Sequence, residues 1–171
     1  MSNYNWGYPN IVWFGNGRIN KLPNACNIFN IKKPLLVTDK DLVKTQITTK
    51  VIDINKKAKI STEIFSDLKG NHFGSHFQKG VEQFKKGNHD GIIAFGGGSS
   101  LDVGKSIALL ASVNRPLWDF SSDGSFWTDN KFYASMAKNK MSNPDNIKPI
   151  IAIPTTAGTG SETSRAAAII N

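Results

Sequence analysis

The residues best placed to do chemistry are a run of small ones. Gly96-Gly97-Gly98-Ser99-Ser100 directly follows the apolar stretch Gly91 to Phe95 and directly precedes a helical segment, Leu101 to Ser112. Consecutive glycines between a strand and a helix leave several backbone N–H groups unblocked by Cβ atoms at the positive end of the helix dipole, which suits a pyrophosphate. Ser99 and Ser100 can add hydroxyl donors or cap the helix, and a tight turn with a serine cap is the plainer reading of the same run. The run is neither GxGxxG nor GxxxxGK[ST], so it supports neither of those nucleotide-binding loops.

Two other stretches offer partners for a nucleotide. Asp39 follows Pro34-Leu-Leu-Val-Thr38 at the C-terminal end of a predicted strand, and ligands of open α/β sheets sit beyond such ends. A carboxylate there accepts hydrogen bonds from both hydroxyls of an adenosine ribose and repels a 2′-phosphate, which favours NAD over NADP. Lys40, next in the chain, weakens that argument, and a helix cap is an equal alternative for Asp39. Further on, Ile153-Pro-Thr-Thr-Ala-Gly-Thr-Gly-Ser-Glu162 carries a strand into a loop of hydroxyls and glycines that can approach a cofactor closely. Its hydroxyls suit phosphate or ribose, and Thr159 or Ser161 could equally open a short helix.

The elements that would position these groups are short apolar runs alternating with segments of helical spacing, the pattern of a parallel sheet covered by helices. Strands are predicted at Asn10–Phe14, Pro34–Thr38, Ile60–Phe65, Gly91–Phe95 and Lys148–Ile153. Phe73, Phe77, Val81 and Phe84 give the helix Phe73–Lys86 one apolar face. The stretch from Asn114 to Asn146, rich in Ser, Asn and aromatics, is long for a connection and is predicted as a partly helical excursion over the sheet edge. No internal repeat is visible. The apolar run Arg165-Ala-Ala-Ala-Ile-Ile-Asn171 reads as the start of another strand or buried segment, which predicts that the chain is the N-terminal portion of something longer.

Composition narrows the class. With 171 residues, 39% hydrophobic and 20% charged, the chain has the makings of one soluble globular domain. No apolar run reaches the roughly 18 residues of a membrane span, and no export signal follows Met1. The single cysteine, Cys26, cannot form an internal disulfide, which fits a cytoplasmic setting. The net charge is +8, with 14 basic and 7 acidic residues before position 91 and 7 and 6 after it. Because the lysines are scattered and arginine is scarce, a solvated surface is the better reading than a nucleic-acid face. His72 and His76 have the spacing of a helical chelate but lack a carboxylate partner, so a surface or capping role fits them better than a metal site.

Taken together, GGGSSLDVGKSIALL at 96–110 and PTTAGTGSETS at 154–164 resemble the N-terminal half of the iron-containing (group III) alcohol dehydrogenases. Phe14-Gly15, Val37-Thr38-Asp39-Lys40, Asn71 and Arg115-Pro-Leu-Trp-Asp-Phe120 extend the resemblance over nearly all of the chain. It implies an α/β, Rossmann-like parallel sheet with flanking helices over residues 1–171, binding NAD(P), without the family's C-terminal all-helical domain. By resemblance, Asp39 contacts the adenosine ribose, Gly97, Gly98 and Ser99 form the pyrophosphate loop, and Thr155, Thr156 and Thr159 touch the cofactor. Asp102 matches a carboxylate near the nicotinamide half, and Asn71 a polar contact, although the family's Asn-Pro pair is Asn71-His72 here.

The resemblance also implies a divalent metal, usually iron, in the complete enzyme, held by one Asp and three His that all follow the threonine-rich loop, and none of them falls within this chain. The reading is therefore the NAD-binding portion, without catalytic or metal-ligating residues of its own, of an oxidoreductase that interconverts a small alcohol and an aldehyde or ketone. Alone, the chain is expected to be inactive. The alternative is a stand-alone, catalytically inactive nucleotide-binding module. Apolar surface left bare by the missing domain predicts self-association into a homo-oligomer. Neither nucleic acid nor membrane is an expected partner.

Overall fold

In the computed structural model, residues 10–68, 74–113, 115–121, 124, 147–164 and 166–169 are described, with the backbone alone for 74–76. Four strands, β1 (Pro34–Val37), β2 (Glu63–Phe65), β3 (Gly91–Gly96) and β4 (Ile150–Pro154), pair in the order β2-β1-β3-β4. All three pairings are parallel, with Leu36 opposite both Ile64 and Ile93, and Ala94 opposite Ala152. The α-helices among the described residues are α1 (Leu22–Ile28), α2 (Lys40–Val43), α3 (Gln46–Lys57), α4 (Gly74–Lys86) and α5 (Gly98–Ser112). This is the parallel sheet covered by helices that the alternation of runs predicts, and the α/β, Rossmann-like architecture that the resemblance implies.

The central strands are apolar at every position because both faces of the sheet are covered. Every residue of β1 and of β3 is buried. Leu35, Val37, Ile92 and Ala94 point to one side, where they pack with Phe77 and Phe84 of α4 and with Leu101, Val103 and Ile107 of α5. Leu36, Ile93 and Phe95 point to the other, onto Leu22 and Cys26 of α1 and Val51 of α3. Burial pushes the Cys26 thiol up to about 11, with the Asp90 charge adding to the effect, so Cys26 is a packing group and not a nucleophile. At the edge, β4 stays half-buried although its residues contribute to both clusters.

Two glycines let helices come closer than any side chain would allow. A Cβ on Gly104 of α5 would stand 2.7 Å from the Cβ of Ala94, and one on Gly80 of α4 would stand 2.3 Å from Ile107 Cδ1. Helix α5 therefore lies almost directly on β3, and α4 nests against α5.

The structure corrects several boundaries. Asn10–Phe14 is not a strand: the segment pairs with none among the described residues, and Ile11, Val12 and Phe14 are exposed. Apolar composition alone could not supply the missing partner strand. The third predicted strand shrinks to Glu63–Phe65, because Lys59 takes a left-handed φ of 60° and the Ile60 N–H returns to the Asn55 carbonyl, closing α3. Helix α5 starts at Gly98, three residues before the predicted Leu101. Leu117–Phe120 forms a 3-10 turn, while most of 114–146 lies outside the described residues. Residues 166–169 form no strand.

The close α5–β3 packing yields a stability prediction. Gly104→Val should destabilise the protein by about 1–3 kcal/mol through overpacking against Ala94. Urea unfolding followed by circular dichroism would read this as a lower midpoint with an unchanged slope.

Candidate functional site

Strand order places the site. The chain runs from β1 to β2 on one side and then crosses to β3 on the other, so the sheet changes direction between β1 and β3. A crevice opens at such a switch point, outside the carboxyl ends of the strands. Asp39 follows β1 and Gly97 follows β3, so the two main candidates flank it.

The glycine run makes its turn in one step. Gly96 has a φ of 145°, which strongly favours glycine, and a Cβ there would collide with Ser100 Oγ at 2.6 Å. Gly97 is then the N-cap of α5, a 15-residue helix, and no side chain caps it. The first N–H groups of the helix, at Gly98, Ser99 and Ser100, precede the first intrahelical bond, from Leu101 N–H to the Gly97 carbonyl. Neither serine caps this helix, so the plainer turn-and-cap reading of the run loses its cap. Partial positive charge collects at an end with no side-chain acceptor.

The threonine-rich loop folds over this end. Thr155 N–H donates to the Gly96 carbonyl at 2.9 Å, extending the β3–β4 ladder into the loop. A Cβ on Gly97 would meet Thr156 Oγ1 at 3.4 Å, and one on Gly98 would meet Thr159 Cγ2 at 3.0 Å and Ser161 Oγ at 3.2 Å. Gly97, Gly98, Thr156 and Thr159 are therefore brought together, with Thr155, Thr156 and Thr159 exposed. Asn10 Nδ2 donates to the Thr163 carbonyl at 2.9 Å and braces the loop from the N-terminal side.

Asp39 fills the role of cap. Its Oδ1 accepts from Leu42 N–H at 2.7 Å and Asp41 N–H at 3.1 Å, ordering the single turn α2. Both bonds use the same oxygen, so Oδ2 takes no part in the cap. The two readings of Asp39 are compatible, one for each oxygen.

Asp102 is almost buried and engaged on both sides. Its Oδ2 accepts from the Ala168 N–H at 2.9 Å. The Lys105 ammonium stands 2.9 Å from Oδ1, at ion-pair distance but without hydrogen-bond alignment. Lys105 Nζ also donates to the carbonyls of Ser164 and Ala166. The pair thus fastens Ser164, Ala166 and Ala168 onto α5. Lys105 was missed as a site residue, although its i,i+3 spacing from Asp102 is readable in the sequence. Asn71 and His72 lie outside the described residues, as does the side chain of His76. A separate cavity of about 320 Å³, lined by Ile52, Lys56, Lys59, Ile60, Ser61 and Thr62, lies at the opposite ends of the strands and shares no residue with the crevice.

With this geometry in place, the comparisons with known proteins are consistent. The family model described as iron-containing alcohol dehydrogenase matches residues 9–171. The 4-hydroxybutyrate dehydrogenase of Cupriavidus necator is 34% identical over 154 residues, which are 90% of this chain and 36% of that protein. The crystal structure of a 1,3-propanediol oxidoreductase superposes with a TM-score of 0.77 at 30% identity, covering 96% of this chain and 38% of the other. A sulfoacetaldehyde reductase from Bifidobacterium kashiwanohense, solved in complex with NAD+, gives 0.73 at 25% identity, covering 96% and 39%. The chain therefore spans just over a third of the length of the relatives it matches.

Two substitutions separate the roles of the carboxylates. Asp39→Ala should cost about 1 kcal/mol through the lost cap. Asp102→Ala should cost about 1–3 kcal/mol, since it leaves the Ala168 N–H without its acceptor and the Lys105 charge without its counter-ion. Hydrogen exchange by NMR should show faster exchange at Ala168 in the second variant and not in the first.

Proposed function

This chain belongs to the iron-containing alcohol dehydrogenase family, and we propose that it is the nucleotide-binding portion, residues 1–171, of an NAD-linked oxidoreductase that interconverts a small alcohol and an aldehyde or ketone. The observation that carries the reading is the N-terminus of α5: a helix end with no side-chain cap, at the switch point of a parallel sheet, covered by a loop of exposed threonines.

The residues present fit a dinucleotide. The N–H groups of Gly98, Ser99 and Ser100 donate to the pyrophosphate, and the missing Cβ atoms of Gly97 and Gly98 leave room for its close approach. Thr155, Thr156 and Thr159 contribute hydroxyl donors from the facing loop. Asp39 keeps its helix cap through Oδ1 and accepts a ribose hydroxyl at Oδ2, which places NAD ahead of NADP. Asp102 acts on the nicotinamide side by holding Ser164, Ala166 and Ala168 against α5 with Lys105, and Asn71 adds a polar contact. When bound, the nicotinamide supplies the hydride acceptor at its C4.

A metal does not fit these residues. Among the described residues no three His, Cys, Asp or Glu side chains gather to hold an ion. Iron or another divalent cation belongs to the complete enzyme, and the chain alone is inactive in this reading. Its setting is cytoplasmic, consistent with the free, buried Cys26, and no helix among the described residues is long and apolar enough to cross a membrane. Homo-oligomerisation belongs to the same reading, supported by the exposed Ile11, Val12 and Phe14.

Titration of the protein with NADH, followed by nucleotide fluorescence, tests the assignment. Saturable binding is expected, together with its loss in Gly97→Val, whose added bulk stands at the helix end where the fold tolerates a Cβ. Equal NADH affinity in a folded Gly97→Val protein would reject the pyrophosphate site.

A further inference from the structure

We infer that Asp67 sets cofactor preference: it engages the ammonium groups of Lys40 and Lys79 beside the adenosine end of the crevice and so withholds them from a 2′-phosphate. The inference rests on the reading of Asp39 as the ribose partner and supplies a second, separate determinant.

The placement follows from the sheet. In the parallel β1–β2 pair Val37 lies opposite Phe65, and the Thr38 N–H continues the ladder to the Phe65 carbonyl at 3.0 Å. Asp39 and Asp67 each stand two residues beyond that pair, at the carboxyl ends of neighbouring strands. Lys40 is the first residue of α2, directly after Asp39, and Lys79 comes from α4. The three charged groups converge from three elements. Lys40 Nζ is 3.0 Å from Asp67 Oδ1, and Lys79 Nζ donates to Oδ2 at 2.9 Å. Each carboxylate oxygen thus faces its own lysine.

Without Asp67, this edge of the crevice would offer two ammonium groups to an incoming dianion. Lysine is a common phosphate binder, acting as a point charge, so a lysine next to Asp39 would by itself favour NADP. With Asp67 in place its sum with the two lysines is one positive charge, and both ammonium groups already have a partner. The hydrogen bond from Lys79, followed by the one from Lys40, holds the Asp67 carboxyl down to about 2, so it stays ionised across the neutral range. All three groups are partly exposed to solvent. Their effect on a bound phosphate is therefore salt-dependent.

The test compares NADH and NADPH affinities, by nucleotide fluorescence, in the unmodified protein, in Asp67→Asn, and in Asp67→Asn with Lys40→Ala and Lys79→Ala added. Asp67→Asn should lower the NADPH-to-NADH ratio of Kd by roughly five- to tenfold at low ionic strength, and the shift should shrink in high salt. Adding the two lysine substitutions should abolish it. An unchanged ratio in an Asp67→Asn protein that still binds NADH would overturn the inference and leave the Asp39 reading intact. Absence of saturable NADH binding in the unmodified protein would overturn both.

Discussion

The contact between α5 and β3 is the constraint on which the rest of the structure depends. Gly104 lies against Ala94 with no room for a side chain between them, so the helix backbone comes close to the strand there, while Leu101, Val103 and Ile107 join the same core cluster. A helix that leaves its strand through Gly96 and immediately returns onto it must point its N-terminus at the carboxyl end of the sheet. The direction of the dipole and the position over the crevice follow from that connection, and the bare N–H groups follow from an N-cap, Gly97, that has no side chain. Burial on both faces of β1 and β3 keeps the strands registered beneath it.

The crevice is held by polar contacts that reach far along the chain. Thr155 is tied to Gly96, Asn10 to Thr163, and Ala168 to Asp102. These bonds bring the loop after β4 down onto α5, and the glycines at 97 and 98 set how close it comes. Each is modest by itself, of order 1 kcal/mol. Their combined effect is to give the loop one seat over the helix end, where exposed hydroxyls and unpaired amides face the same space. After β1, the Asp39 carboxylate serves as a helix cap through one oxygen, and the other takes no part in the cap.

Opposite charges are distributed around the crevice in pairs. Lys105 answers Asp102, while Lys40 and Lys79 answer Asp67. The overall +8 charge therefore exaggerates the positive field at this end of the sheet. The partial charges of the backbone amides at the start of α5 are fixed in direction by the helix.

Much of the fold was legible in the chain because its signals are local. Runs such as Pro34–Val37 and Gly91–Gly96 are apolar at consecutive positions, as strands covered on both sides must be, and Phe77, Val81 and Phe84 share one helical stripe. The glycine run and the threonine-rich loop are local signals too, and the structure brings them together. Asn10–Phe14 misled because an apolar run does not carry its own partner strand. Ile60 misled because the end of α3 claims its N–H. What only the tertiary structure decided is which neighbour each charged group meets: Asp39 with the amides of α2, Asp102 with Ala168, and Asp67 with two lysines from separate helices. Those partners lie up to 66 positions apart, and periodicity within a short window holds no record of contacts that form only when the sheet is assembled.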